Sequence, residues 1–534
     1  MRKKEGFAES VIFLMMSQGI IKIFGLLYSM YLINKTGFGD KGNAIYMSGY
    51  QVFVLFLTLS SASVPNSVAK LVSEKIAIDD YNGANRVFKI SLLCFGGIGI
   101  TETIILFFCS KWISNSFLLI PECEYGLIAL SPAIFLSSVL SVIRGYFNGV
   151  GIISKTAKSQ TIEQIFKSIL TIVFVELIFI KNNDTVAMAS IANFGTTCSI
   201  FISLIYMIKC YIYYRKFQKI EFLKTSYYKE SNLNLVRRIF STSIPIMISA
   251  IIGSLNKNID SITVVRILTP ILGENVAKLK YGILSSKIDM LTLMPLSFNI
   301  AFSTVLIPEV SAGVARNDID SINNKLSFSL LVTTLIAFPA SLGISLYSNQ
   351  ILNLLFPNSS SGGEVLKISA FCIIFMAFTQ TIGGVLHGIG KTNTLVWSSV
   401  VGLFVKFILN IILLPISNIY EKGAVIANLF SSIVIFVIVW SVLRKNLDLK
   451  FNLFIISIKP MIATIIMGFS SYIIYTILIN VGVGINVSTI IGILLAVFIY
   501  VISIIILRVF NKNQLILLPN GEKIYKFLKK NKIF

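Results

Sequence analysis

Two basic side chains stand inside long apolar runs of this sequence. Lys22 lies near the middle of SQGIIKIFGLLYSMYL, and Arg144 lies in SVIRGYFNGVG, about one turn before a run ends. A charge inside a membrane-spanning segment is costly and therefore usually marks a functional site. The two cations predict binding of an anionic cargo that also accepts hydrogen bonds. For Arg144 an alternative stays open, because a basic side chain near a helix end can also reach a lipid phosphate.

Acidic and amide side chains follow the same pattern. Glu163 and Gln164 open the next apolar run, and Lys167 follows Glu163 by four residues, so a local ion pair is one interpretation. Farther along, SLNKNIDSITVVRIL contains Lys257 and Asp260, whose spacing also allows pairing. A segment this polar is predicted to line protein or a water-filled cavity rather than lipid. Other ionisable residues in or beside apolar runs are Glu102, Glu176, Arg266, Lys287, Asp289, Glu309, His387 and Lys406.

A glycine-rich segment occurs twice in the chain. Its glycines are Gly145, Gly149 and Gly151 in SVIRGYFNGVG, and Gly384, Gly388 and Gly390 in QTIGGVLHGIG. The correspondence continues without a gap to Lys167 and Lys406. Arg144, by contrast, corresponds to Gly383, so the two copies differ at the position of the first copy's cation.

A second, shorter sequence repeat also supports duplication. LSSASVP, which ends at Pro65, resembles FSTVLIP, which ends at Pro308. Six apolar runs per copy place both copies in the same orientation, as two lobes around a central cavity. Glycines four residues apart let helices approach closely, and a following glycine can end a helix. The predicted gating or packing residues are Gly145, Gly149, Gly384, Gly388, Pro65 and Pro308.

Composition predicts an all-α integral membrane protein. Of 534 residues, 55% are hydrophobic and only 13% are charged, with a mean hydropathy of +0.83. Apolar runs of about 20 residues can cross the bilayer as helices, and about fourteen such runs are present. The predicted organisation is an N-lobe at 1–211, a basic linker at 212–238, a C-lobe at 239–443, a helix pair at 444–508 and a basic tail at 509–534.

The net charge of +22 reflects membrane topology rather than nucleic-acid binding. Basic residues concentrate at the N-terminus, in the linker and in the tail, which predicts that these segments and both termini are cytoplasmic. The bilayer, with its anionic inner leaflet, is thus the expected partner. No cleavable signal sequence is predicted.

The sequence predicts no cofactor, no metal site and no enzymatic activity. Its six cysteines are scattered without a CxxC pair, and it contains a single histidine and no GxxxxGK[ST] motif. Transport is therefore expected to be coupled to the membrane potential or to a monovalent ion gradient.

Three segments carry a family resemblance: GDKGNAIYMSGYQVF, LSSASVPNSVAKLVSE, and SPAIFLSSVLSVIRGYFNGVG with SQTIEQIFK after it. They resemble the lipid-linked oligosaccharide flippases of the multidrug/oligosaccharidyl-lipid/polysaccharide exporter superfamily. The MurJ-type lipid II flippases of Gram-positive bacteria and the stage V sporulation protein B group are the most similar. The resemblance covers the first twelve spans and is most specific in the first six.

The resemblance implies an alternating-access flippase of undecaprenyl-diphosphate-linked cell-wall precursors, with a helix pair forming a groove for the polyprenyl tail. The family's basic residue in the first span falls on Lys22, and the arginine of its RGYFQG motif falls on Arg144 in RGYFNG. Its SQVIEQ motif falls on Glu163 and Gln164, and its acid in the seventh span falls on Asp260. Gram-negative lipid II flippases have an arginine cluster in the first two spans, whereas this chain offers only Lys22 there, so the headgroup is left open.

Several alternatives stay open at this stage. Within the superfamily they are an exporter of teichoic acid, capsule or spore-cortex repeat units and a cation-coupled multidrug antiporter. A membrane glycosyltransferase or polymerase would need a large outside loop, and the predicted outside loops are short. A scaffold for the cell-wall synthesis machinery is a further alternative, and that machinery is also a possible partner of a transporter. We expect a monomer.

Overall fold

The computed structural model describes residues 7–62, 64–77, 80–182, 184–217, 231–297, 299, 306, 310, 314 and 318–510. These residues are predominantly helical and contain no strand. The chain forms two compact units, an N-terminal unit at Met1–Ser286 and a C-terminal unit at Lys287–Phe534. The finer division into lobes, linker, helix pair and tail stays a prediction.

The N-terminal unit is a bundle of long helices. In chain order they are α1 (Phe7–Asn34), α2 (Gly39–Leu57), α3 (Val64–Ala77), α4 (Tyr81–Trp112), α5 (Glu124–Gly149), α6 (Ile153–Asn182), α7 (Thr185–Phe217), α8 (Asn232–Leu272) and α9 (Glu274–Gly282). Helix α5 lies at the centre of the bundle, since it packs against α2, α3, α4 and α7. Helix α6 packs against α7 on one side and α1 on the other.

The C-terminal unit is also helical. Its helices are α10 (Ile319–Leu346), α11 (Ser348–Leu355), α12 (Gly363–Ser369), α13 (Cys372–Gly388), α14 (Thr392–Leu413), α15 (Glu421–Asn446), α16 (Leu453–Asn480) and α17 (Ile485–Ile506). Its main core joins α10, α13 and α15 through buried aliphatic side chains such as Leu330, Ile382 and Leu443. Helices α16 and α17 pack on each other and on α10.

The helices are long and apolar enough to cross a bilayer. In the described part of the chain, ten segments meet this description. Gly19–Asn34, which is part of α1, is a shorter apolar helical stretch. Helices α6 and α8 are also 30 and 41 residues long. Large apolar side chains such as Phe469 and Leu494 are exposed on α16 and α17, as lipid-facing helices require. The prediction of an all-α membrane protein is confirmed.

The repeated glycine segment folds in the same way in both units. Gly151 and Gly390 have left-handed backbones, with φ of 82° and 78°. The next amide donates to the carbonyl five residues back in each case, Ile152 to Phe147 at 2.9 Å and Lys391 to Leu386 at 2.8 Å. This arrangement ends α5 and α13 and turns the chain sharply into the next helix. The sequence repeat is therefore also a structural repeat.

The second apolar run of the N-terminal unit is not one continuous α-helix. Between α2 and α3 the backbone forms a short π-helical segment, Thr58–Ala62, which coincides with the LSSASVP motif. Pro65 stands at the second residue of α3, where a proline lacks only an amide that the helix start leaves free. The described residues therefore place an irregular backbone inside an apolar bundle.

Candidate functional site

A partly buried ion pair lies where the repeated turn joins α5 to α6. One Nη atom of Arg144 lies 2.7 Å from a carboxylate oxygen of Glu163, and 12% and 29% of the two side chains are exposed. The same guanidinium donates to the hydroxyl of Ser159 at 2.8 Å and to that of Ser203, on α7, at 3.2 Å. The two serine hydroxyls lie 2.8 Å apart. Arg144 thus ties three helices together.

The turn itself is held by a second polar contact. The Thr156 hydroxyl donates to the side-chain oxygen of Asn148 at 2.7 Å and lies 3.4 Å from the carbonyl of Arg144. Asn148 is the residue by which RGYFNG differs from the family motif RGYFQG. Its short amide reaches across the turn and joins the two helices.

The neighbouring lysine does not pair with Glu163, so the local ion pair considered between these residues is wrong. Lys167 is buried, and its ammonium lies 4.0 Å from the ring centre of Tyr50 and 5.6 Å from that of Tyr28. Tyr46 stacks on Tyr50, with ring centres 5.9 Å apart. Tyrosine rings attract a desolvated cation through their negative faces. Lys167 is therefore held by rings of α1 and α2.

Lys22 lies on α1 and Gln164 lies on α6, and these two helices pack against each other. Ser17 donates to the carbonyl of Ala157 at 3.0 Å, and Gly25 lies opposite the Gln164 amide. Lys22 is exposed, so it lies off the α1 face that Ser17 buries against α6. Binding roles for Lys22, Arg144, Glu163 and Gln164 stay predictions.

The predicted pair on the seventh span is only partly within the described structure. Asp260 is half-buried on α8, whereas the side chain of Lys257 lies outside the described residues. Near them, the buried Asn258 amide lies 3.5 Å from the carbonyl of Gln51 on α2. Arg266, farther along α8, donates to the carbonyl of Ser116 at 2.8 Å. The Lys257–Asp260 pair stays a prediction.

The glycines of the first copy allow a close helix approach. A β-carbon added at Gly145 would lie 2.8 Å from Cβ of Val68 and 3.0 Å from the backbone of Pro65. One added at Gly149 would lie 2.7 Å from Cβ of Val72. Helix α5 therefore contacts α3 backbone to backbone, as small residues permit.

The glycines of the second copy lie at the end of α13. Gly384 is buried on α13, and Gly388 is the last residue of that helix. Pro308 and Glu309 lie outside the described residues. Roles of these residues in gating stay predictions.

Other ion pairs join residues far apart in sequence. Lys35, just after α1, lies 2.7 Å from Glu176 on α6, a carboxylate for which the sequence offers no local partner. Lys278 is 1% exposed and contacts Glu122 and Glu274, the former 156 residues away. Sequence reasoning missed Lys35 and Lys278, because each meets its distant partner only after helices have packed.

Three comparisons with known proteins agree with this architecture. The family model described as polysaccharide biosynthesis protein matches residues 7–314, and the MatE model matches residues 245–412. Lipid II flippase MurJ of Bacillus subtilis is 25% identical over 427 residues, which cover 76% of this chain and 77% of that protein. Stage V sporulation protein B of the same organism is 23% identical, with coverage of 79% and 81%.

Solved structures resemble most of the chain. A lipid II flippase MurJ in an inward closed conformation superposes with a TM-score of 0.71 at 17% identity and covers 92% of this chain and 98% of its own. An inward-facing multidrug resistance MATE family transporter gives a TM-score of 0.62 at 16% identity and covers 82% of this chain and 99% of its own. The fold is therefore the all-α transporter fold that these two proteins share.

Proposed function

Because this chain belongs to the polysaccharide biosynthesis protein family, we propose that it flips an undecaprenyl-diphosphate-linked cell-wall precursor across the plasma membrane. The proposed cargo is lipid II or a related lipid-linked oligosaccharide, carried from the cytoplasmic to the outer leaflet by alternating access. The observation that carries the proposal is the match of three quarters of the chain to a lipid II flippase. The protein would act as a transporter, without covalent chemistry.

The proposed contact for the diphosphate is the guanidinium of Arg144. Guanidinium groups bind carboxylate and phosphate oxygens with the same planar geometry. A diphosphate arriving at Arg144 would therefore compete with Glu163, which now accepts its hydrogen bond at 2.7 Å. Lys22, exposed on α1, is proposed to attract the same anion.

The driving force is proposed to be the membrane potential or an ion gradient. A potential contributes about 2.3 kcal/mol per charge per 100 mV, which is sufficient to bias the return of a charged carrier. Both termini are proposed to be cytoplasmic. The protein is proposed to act as a monomer, in contact with the cell-wall synthesis machinery.

A second candidate function is export of other lipid-linked glycans, such as teichoic-acid, capsule or spore-cortex repeat units. It is supported by the similarity to stage V sporulation protein B and to a probable low-salt glycan biosynthesis flippase, Agl15 of Haloferax volcanii, which is 24% identical over 168 residues. That last match covers 30% of this chain and 34% of that protein.

The test is translocation of purified lipid II in proteoliposomes with an imposed potential. We expect flipping by the wild type and at least a tenfold slower rate for Lys22→Ala, which corresponds to about 1.4 kcal/mol. Lys445→Ala, at the exposed end of α15, is the matched control and should keep the wild-type rate. If folded wild-type protein moves no lipid II but does move a teichoic-acid or capsule precursor, the second candidate is correct. Movement of neither cargo would refute both.

A further inference from the structure

Glu102 is a buried carboxyl group that the proposed cationic site does not use. It lies in the middle of α4 with 7% of its surface exposed. Its Oε2 atom is fully buried and has no hydrogen-bond partner among the described residues. An ionised carboxylate without a partner is very unfavourable in the interior of a membrane protein. The position therefore requires an explanation beyond packing.

The π-helical segment between α2 and α3 provides the polar neighbours of this carboxyl. Helix α4 packs against Thr58–Ala62, and Ser60 is a neighbour of the Glu102 carboxyl. Ser60 and Ser61 are both buried, and their hydroxyls lie 3.4 Å apart. Short π-helical segments are frequent at functional sites.

The packing with α5 closes the site on one side. A β-carbon added at Gly99, one turn before Glu102, would lie only 2.5 Å from the Ser138 hydroxyl and 3.2 Å from Cα of Phe135. On the other side of Glu102, the Thr103 hydroxyl donates to the carbonyl of Ser131 at 3.0 Å. Helices α4 and α5 are therefore in direct contact one turn before Glu102 and at the residue that follows it.

Oε2 of Glu102 receives no hydrogen bond from a basic side chain in the described part of the chain. The ionisable residues of the elements that pack here are Arg86, Lys89 and Lys111 on α4, Glu124 and Arg144 on α5, Lys70, Glu74 and Lys75 on α3, and Arg237, Arg238, Lys257, Asp260 and Arg266 on α8, where the side chain of Lys257 lies outside the described residues; the π-helical segment has none. Lys111, nine residues along the same helix, is displaced by about 14 Å of helix axis. Arg144 already has Glu163 as its partner.

From this geometry we infer that Glu102 and the segment Thr58–Ala62 form a proton-binding site of the N-terminal unit. The proton forms an O–H bond with one carboxyl oxygen, the charge of Glu102 changes from −1 to 0, and no other bond is made or broken. A proton fits better than a metal ion, because Ca²⁺ and Mg²⁺ take six or more oxygen ligands, whereas one carboxyl and two hydroxyls lie here. If the π-helical segment converts to regular helix, Ser60 moves relative to Glu102, which gives water access and releases the proton.

As a consequence, transport would be coupled to the movement of one proton per cycle. This coupling rests on the proposed flippase function, whereas proton binding by Glu102 does not. One proton per cycle changes the attainable transbilayer ratio of cargo by up to about tenfold for each unit of pH gradient.

Infrared spectroscopy of the purified full chain tests the site without any cargo. The wild type should show the carbonyl stretch of a protonated carboxylic acid at neutral pH, where exposed carboxyls are ionised. That band should be lost in Glu102→Gln, which keeps the size and polarity of the neutral acid. Glu124→Gln, at the start of α5, is the matched control and should keep it. Absence of the band from the wild type, or its full persistence in Glu102→Gln, would overturn the proposal, and the first of these results needs no variant.

Proteoliposomes then test the coupling with an imposed pH gradient and purified lipid II. Wild-type flipping should respond to the gradient, and Glu102→Gln should flip at a rate that the gradient does not change. An equal response of both proteins would refute the coupling. If the wild type flips no lipid II while the infrared band is present and depends on Glu102, the proposed cargo is wrong and the proton site stands.

Discussion

The turn from α5 to α6 and the turn from α13 to α14 share one backbone but differ in their side chains. Both end a helix at a left-handed glycine, with the same pair of capping hydrogen bonds. In the first, Arg144 and Glu163 form a partly buried ion pair. At the corresponding positions of the second, the chain has Gly383 and Gly402, so both partners of the pair are glycine.

The second turn fills the same region with apolar contacts. A β-carbon at Gly402 would lie 2.5 Å from the side chain of Ile435, and one at Gly383 would lie 3.3 Å from Leu395. The Ser431 hydroxyl donates to the carbonyl of Gly402 at 2.7 Å. Removing one partner of a buried ion pair is strongly destabilising, whereas replacing both can be neutral. The repeat thus indicates that Arg144 and Glu163 depend on each other.

Lys167 and Lys406, which occupy equivalent positions in the two copies, also differ in their surroundings. Lys167 and Lys406 are both buried. Lys167 lies against the rings of Tyr28 and Tyr50, whereas the surroundings of Lys406 include Cys372 and Asp289. The same residue type at equivalent positions therefore has different neighbours in the two units.

The largest expected loss of stability comes from removing only one of the two side chains in the Arg144–Glu163 ion pair. Glu163→Ala leaves the guanidinium of Arg144 buried without its carboxylate, which we expect to destabilise the protein by about 2–3 kcal/mol, reduced from the fully buried case by partial exposure. Thermal unfolding in detergent measures the effect. The double variant Arg144→Ala with Glu163→Ala should recover part of the lost stability. A double variant as unstable as the sum of the two single variants would show that the residues act independently.

An intermediate loss of stability is expected from substitution of Gly145, the residue that follows Arg144. Gly145→Ala should destabilise by about 1–3 kcal/mol, because the methyl group meets Cβ of Val68 at 2.8 Å and the Pro65 backbone at 3.0 Å. Gly383→Ala is the matched control in the other unit, since its methyl group meets only the flexible end of Leu395. Thermal unfolding of the two variants compares them directly. Equal losses would mean that close helix approach is not what Gly145 provides.

The smallest effect is expected for an exposed ion pair of the C-terminal unit. Lys450 lies 2.5 Å from Asp320, but both side chains are more than half exposed. Exposed pairs contribute little, because water and salt screen them. Asp320→Asn should therefore leave the melting temperature unchanged within error, at low and at high salt. A clear decrease would contradict the view that burial, rather than charge pairing itself, distinguishes the Arg144 pair.

The sequence predicted the class of the fold and the repeated segment for reasons that are local. Apolar runs longer than the bilayer must form helices, because no water is present to satisfy the backbone. The glycines at 149–151 and 388–390 predicted two equivalent helix ends, because a left-handed residue is readily accepted only by glycine. Both statements depend on neighbouring residues alone.

The partners of the charged side chains could be identified only from the tertiary structure. The spacing of Glu163 and Lys167 suggested a pair on one helix face, yet Glu163 bonds Arg144 of the preceding helix, 19 residues away. Lys167 instead meets Tyr28 and Tyr50, more than a hundred residues earlier. Likewise, nothing local to Lys278 indicates Glu122.

What the sequence determined by itself is thus the class of the fold and the two glycine-terminated helix ends of the repeat. Only the packing of the helices decided whether a buried charge meets an opposite charge, as at Lys278, or an aromatic ring, as at Lys167. The physical reason is that burial makes a partner necessary, whereas the identity of that partner depends on which helix faces meet, and those faces come from distant parts of the chain.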